Sequence, residues 1–104
     1  MKQTQLKANI TATGKYLPKE VLTNHDMAKL VETSDEWIQT RTGIRERRKV
    51  QKGEATVDMS TNAVRDLMER YNLDAKEIDA IIVATVTPDM ILPCSAALVQ
   101  KNIN

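Results

Sequence analysis

Leu6, Ala8, Ile10 and Ala12 alternate with Lys7, Asn9, Thr11 and Thr13. A period of two predicts a strand with one buried face. Gly14 and Pro18 break the pattern. Thr23 with Asp26 three residues on has the spacing of a capping box, and Asn24 is the alternative cap. The helix that follows should carry Met27, Leu30 and Val31 on one face. Thr33 with Glu36 is a second box, heading a short helix that Gly43 can close. Residues 44–50 read as extended. A longer helix is predicted over 56–71, with Ser60, Ala63, Val64, Leu67 and Met68 on one stripe and Asn72 at its end. Asp74 and Glu77 cap a single turn.

Residues 80–86, A-I-I-V-A-T-V, are apolar without alternation. Such a run reads as a strand covered on both faces, as in a parallel sheet. Thr87-Pro88-Asp89 makes a turn, and Pro93 suits the first turn of a final helix from Cys94 to about Lys101. Helix, buried strand and helix in succession are an α/β signature. A central strand with so few neighbours implies part of a larger sheet. The expectation is that residues 1–104 are a portion of a domain.

Composition narrows the function. The chain has 104 residues and a net charge of +1, which gives no bulk electrostatic case for nucleic acid or an anionic membrane. No apolar run approaches the roughly 20 residues that span a bilayer, and no secretory apolar stretch follows the polar start. The single cysteine, Cys94, has no partner for an internal disulfide. A cytoplasmic protein is the expectation. The core must be aliphatic, since there is no Phe, one Trp and two Tyr.

That one tryptophan, Trp37, stands among charges, with Arg41 four residues on. At that spacing the two share a helix face. The local pattern leaves two readings. Trp37 anchors the core while the stem of Arg41 covers it. Or an aromatic face and a guanidinium together receive a ligand with a flat ring and a negative group, as nucleotides have.

Residues 33–48, T-S-D-E-W-I-Q-T-R-T-G-I-R-E-R-R, resemble a signature of the β-ketoacyl-acyl carrier protein synthase III family. Residues 14–24 resemble its G-x-Y-L-P-x-x-V-x-T-N pattern, and residues 79–93 resemble the strand and loop with T-P-D-x-x-x-P. The motifs run in the family's order and cover about its first third. The resemblance implies an α/β, thiolase-like fold, with residues 1–104 as the N-terminal portion of the first half, helices layered about a mixed sheet. It implies acyl transfer from acyl-coenzyme A to a cysteine, then condensation with malonyl-acyl carrier protein to initiate fatty acid biosynthesis, in a homodimer. A thiolate is a better acyl acceptor than water, and fixed donors stabilise the oxyanion. Coenzyme A enters as part of a substrate, so no cofactor, metal, nucleic acid or membrane is expected.

By the same resemblance, Trp37 stacks on adenine, Arg41 contacts the phosphate region and Thr33 hydrogen-bonds the adenine. Leu92 stands where the family often has phenylalanine, on the side of the partner subunit's acyl pocket. Ala12-Thr13-Gly14 replaces the usual G-x-G at the end of the first strand. Cys94 stands where the family usually has serine, and its nucleophile, histidine and asparagine lie downstream. No residue of 1–104 is therefore expected to be catalytic, neither Cys94 nor His25. Two alternatives are carried forward. One is another thiolase-fold acyltransferase, such as a hydroxymethylglutaryl-CoA synthase-like enzyme. The other is an interaction module that uses Trp37 and the basic run 45–49.

Overall fold

A computed structural model describes residues 7–104. Thr23 caps the first helix as its spacing implies. Its side chain accepts from the Asp26 N–H while the Asp26 carboxylate accepts from the Thr23 N–H and hydroxyl. Strand β1 (Glu20–Thr23) thus runs directly into helix α1 (Asn24–Ala28). Helix α2 (Asp35–Thr42) follows and ends at Gly43, whose φ of 70° is the left-handed conformation that glycine adopts cheaply. Strand β2 (Glu46–Lys49) then returns antiparallel to β1, with Glu20 opposite Lys49 and Thr23 opposite Glu46. Helices α1 and α2 therefore sit in the connection of a two-stranded hairpin.

The second group of elements is helical. Helix α3 (Thr56–Tyr71) has the predicted bounds and is closed by Asn72 at φ 51°. A 3-10 turn, Ala75–Glu77, is capped by Asp74 and Glu77 as expected. Helix α4 (Ser95–Ile103) packs on α3. Val99 of α4 is 1% exposed, and Val57 and Thr61 of α3 are buried with it. The Asn102 side-chain amide donates to the Thr61 hydroxyl at 3.2 Å, and Arg65 donates to the Asn102 carbonyl at 2.9 Å. Residues 13–15 lie along α3. Arg70 donates to the Thr13 carbonyl, and the Lys15 N–H donates to the Asp66 carboxylate at 2.9 Å. That bond, more than Arg70, holds the Asp66 carboxyl below its usual range.

Four expectations change. Among the described residues, 7–12 form no strand and Ile10 is exposed; Leu6 lies outside them. Residues 80–86 form none either, and Ile82 and Val86 project into solvent. A strand exists through its ladder, and among the described residues neither segment has a neighbouring strand to complete one. Helix α1 stops at Ala28. Leu30 and Val31 turn back onto the Met27 carbonyl and remain exposed, because no apolar surface faces them. Pro93 lies outside α4, which starts at Ser95 behind Cys94. With these segments unpaired, the Cα radius of gyration is 18.4 Å. A compact domain of about 100 residues has about 13 Å.

The α3 helix also receives a cap that its own sequence lacks. Ala55 precedes it and has no capping side chain. The Asp89 carboxylate, from the turn read as T-P-D, accepts from the Val57 N–H at 3.2 Å. Beside it the Thr56 hydroxyl donates to the Thr87 carbonyl at 2.8 Å. Two segments about thirty residues apart are joined there.

Gly14, the glycine of the motif that this chain keeps, has a steric reason. A Cβ at this position would meet the Ala63 carbonyl oxygen and lie 2.6 Å from Leu67 Cβ. The segment touches α3 because position 14 has no side chain. Gly14→Ala should push residues 13–16 off the helix and cost about 1–3 kcal/mol, the range for overpacking. A urea midpoint unchanged from the parent chain would contradict that close approach.

Candidate functional site

Helix α2 starts one residue later than its sequence implies. The Ser34 side chain, not that of Thr33, accepts from the Trp37 N–H, at 3.1 Å. The Thr33–Glu36 box is not formed, because Thr33 lies outside the first turn. Asp35 and Glu36 then stand in that turn, where negative charge suits the helix dipole. Thr33 is freed from capping. Its hydroxyl oxygen is buried and has no hydrogen-bond partner.

The helix presents Trp37 and Arg41 together. The Arg41 Cζ lies 5.6 Å from the centroid of the indole ring, within cation–π range. Trp37 is 57% exposed. That exposure does not fit an anchor of the core, which in this part of the chain is Ile38. Two shallow clefts flank the indole. One of about 250 Å³ is lined by Glu32, Thr33, Ser34 and Trp37. The other, of about 360 Å³, is lined by Ser34, Glu36, Trp37, Thr40 and Arg41. Thr33, Trp37 and Arg41, named from the sequence, are thus gathered about the indole: Thr33, just before α2, lines one cleft with it, and Arg41, in the last turn, lines the other. Leu92 is not with them. It is exposed on the loop before α4 and lines neither cleft.

A buried polar cluster supports this face. Asn24 is 1% exposed. Its Nδ2 donates to Asp35 Oδ1 and to the Ile44 carbonyl, each at 2.8 Å. Its Oδ1 accepts from Arg47 Nη2 at 2.8 Å. Asp35 Oδ2 accepts from Gln39 at 2.7 Å. The Gln39 bond first, and the Asn24 bond second, hold the Asp35 carboxyl below its usual range. From the sequence, Asn24 is an alternative cap and the end of the T-N motif, and Asp35 is a residue of the signature; neither carries a role there. The usable signal was the pairing of Thr23 with Asp26, which leaves Asn24 inside the helix, where a capping residue has another purpose.

The basic run 45–49 is largely engaged. Arg47 holds Asn24, Arg48 donates to the Pro18 carbonyl at 3.3 Å, and Lys49 faces Glu20 at 3.7 Å across the hairpin. Cys94 is exposed at the head of α4. No group of His, Cys, Asp and Glu among the described residues could hold a metal ion. No helix among them is long and apolar enough to cross a membrane.

No protein-family model matches the chain. Curated proteins and solved structures do. The chain is 52% identical over 99 residues to a β-ketoacyl-[acyl-carrier-protein] synthase III of Caldanaerobacter subterraneus subsp. tengcongensis, covering 95% of this chain and 30% of that protein. It is 52% identical over 99 residues to the protein of the same name from Chlorobaculum tepidum, with 94% and 30% covered. The crystal structure of 3-oxoacyl-[acyl-carrier-protein] synthase III from Aquifex aeolicus superposes with a TM-score of 0.82 at 50% identity, over 88% of this chain and 30% of that one. A priming β-ketosynthase from the R1128 polyketide pathway gives a TM-score of 0.82 at 30% identity, over 88% and 28%. The chain spans about 30% of the length of the curated relatives it matches. The fold class is α/β and thiolase-like.

Depressed carboxyl groups have a signed consequence. Asp26, Asp35 and Asp66 all titrate below the ordinary value in the folded chain, Asp26 chiefly through the Thr23 hydroxyl. Their contribution is present above the unfolded carboxylate range and is lost as pH falls through it toward the lower folded values. Fluorescence of Trp37 should therefore stay flat from neutral pH down to about 4 and change only below it. A transition centred near neutral pH would contradict this assignment.

Proposed function

We propose that this chain belongs with the β-ketoacyl-[acyl-carrier-protein] synthase III proteins that it matches in sequence and fold, and that its α2 face receives the coenzyme A part of an acyl-coenzyme A. The carrying observation is the exposed indole with a guanidinium 5.6 Å from its ring, beside a buried hydroxyl that lacks a partner. Trp37 offers a flat apolar face to adenine. Arg41 offers a fork of donors to phosphate. Thr33 supplies a donor or acceptor to a ring nitrogen or amine.

The intact protein, in this reading, transfers the acyl group to a cysteine and condenses it with malonyl-acyl carrier protein at the start of fatty acid biosynthesis. It acts as a cytoplasmic homodimer, without a bound cofactor. No residue of 1–104 takes a catalytic role; Cys94 and His25 are bystanders. Leu92 borders the acyl pocket of the partner subunit. Engagement of Arg47, Arg48 and Lys49 within the hairpin weighs against a basic docking module.

The test sets these residues in a chain of the family's full length and compares two acyl donors. Trp37→Ala should remove stacking of about 1–3 kcal/mol and raise KM for acyl-coenzyme A. Arg41→Ala should do likewise, with an effect that shrinks as salt rises. Turnover should change little, because binding common to ground and transition states is lost. A small acyl thioester without the nucleotide should be used as before. Equal loss on both donors, with a lower melting temperature, would mean that Trp37 holds the fold. A second expectation concerns residues 1–104 alone, which should form no ketoacyl product. Label from acyl-coenzyme A should still attach to the full-length protein after Cys94→Ser. Failure to attach would make Cys94 the nucleophile.

A further inference from the structure

We propose that Asn24 is a positioning residue for ligand binding: its buried amide grips both ends of α2 and so fixes where Trp37 and Arg41 stand. The proposal rests on the reading of that face as the coenzyme A site.

Helix α2 has little else to hold it. It has eight residues, and Ile38 is its buried apolar side chain. Helices shorter than about 12 residues are marginal without tertiary support. Asn24 supplies that support at two points. Its Nδ2 reaches Asp35 Oδ1 at the first residue of the helix and the Ile44 carbonyl just past the Gly43 cap, each at 2.8 Å. Both N–H groups of the amide are thereby used. The Oδ1 atom takes the third bond, from Arg47 on β2. The Asn24 main-chain N–H donates to the Arg45 carbonyl at 3.3 Å. One side chain therefore ties the entry of α2, its exit and the returning strand to the end of β1.

The chemistry is particular to an amide. Two donors and an acceptor are needed within a buried space of this size. Leucine would fill it and leave Asp35 Oδ1, the Ile44 carbonyl and Arg47 Nη2 without their partner, which is costly for buried groups. Aspartate would oppose the Asp35 carboxylate and the Ile44 carbonyl with acceptors alone. In either case α2 loses its two fixed ends while its own hydrogen bonds and the Ser34 cap remain. The indole and guanidinium then leave the geometry that a rigid nucleotide requires. Positioning losses of this kind reach large factors in affinity without any change in the contacting residues.

The experiment is a kinetic cycle in a chain of the family's full length carrying these residues, using acyl-coenzyme A and a small acyl thioester. Asn24→Asp should raise KM for acyl-coenzyme A about tenfold, with kcat and the small donor little changed. On a Trp37→Ala background the same substitution should add much less, because the group it positions is gone. Equal impairment of both donors would make Asn24 a general folding residue and overturn the proposal. So would a full, additive effect on the Trp37→Ala background, or no effect on KM. If Trp37→Ala itself leaves acyl-coenzyme A binding unchanged, the coenzyme reading of the face fails first, and the proposal falls with it. Should Asn24→Asp not fold, Asp35→Ala cuts the same link from the helix side. It should give the same donor-selective rise and the same non-additivity with Trp37→Ala, and the same contrary results would overturn the proposal.

Discussion

One buried amide sets the geometry of the first half of this chain. Asn24 has three strong polar functions in its side chain and is almost wholly out of water. Leaving any of them unmade would cost more than an average hydrogen bond contributes. All are made, and each partner lies on a different stretch: the head of α2, the residue after its cap, and β2. The small apolar burial around Ile38 could not select this arrangement by itself. Hydrophobic contact is non-directional, whereas two N–H groups aimed at Asp35 and Ile44 accept few orientations of α2. The helix that carries an exposed tryptophan is tied at its two ends by this polar cluster.

The second half is built on another principle. There α3 and α4 bury Val57, Thr61 and Val99 against each other, and the loops are pinned onto α3 from outside. Gly14 allows one segment to approach the helix, and Asp89 closes the helix N-terminus from another. The apolar segment 80–86 lies between these helices in sequence but pairs with nothing among the described residues. Its composition suits a strand covered on both faces, and its exposure here is the complement of that expectation.

Local signals in the sequence were legible wherever one short segment decides its own structure. The Thr23–Asp26 box, the Gly43 and Asn72 caps, the bounds of α3 and the Asp74–Glu77 turn follow from spacing alone. So does the shared face of Trp37 and Arg41. Reading failed where the outcome depends on a distant partner. Residues 7–12 and 80–86 have strand patterns, but a strand needs a neighbour that a pattern cannot supply. The box spacing points to Thr33, whereas the adjacent Ser34 makes the cap, and one-residue differences at helix ends are below what spacing resolves. Asn24 and Asp89 act across 11 to 32 residues of sequence, and nothing in their immediate neighbours reveals it.

The most direct test of the account is hydrogen exchange on Asn24→Leu, with α3 as the internal reference. Leucine keeps the branched four-atom shape and removes all three side-chain bonds of Asn24. The account predicts that amides of α2 lose protection while those of α3 keep theirs, since α3 is held by Val57, Thr61 and the Val99 contact. Unchanged protection across α2 in Asn24→Leu would show that this helix is held by something other than the buried amide, and would contradict the account.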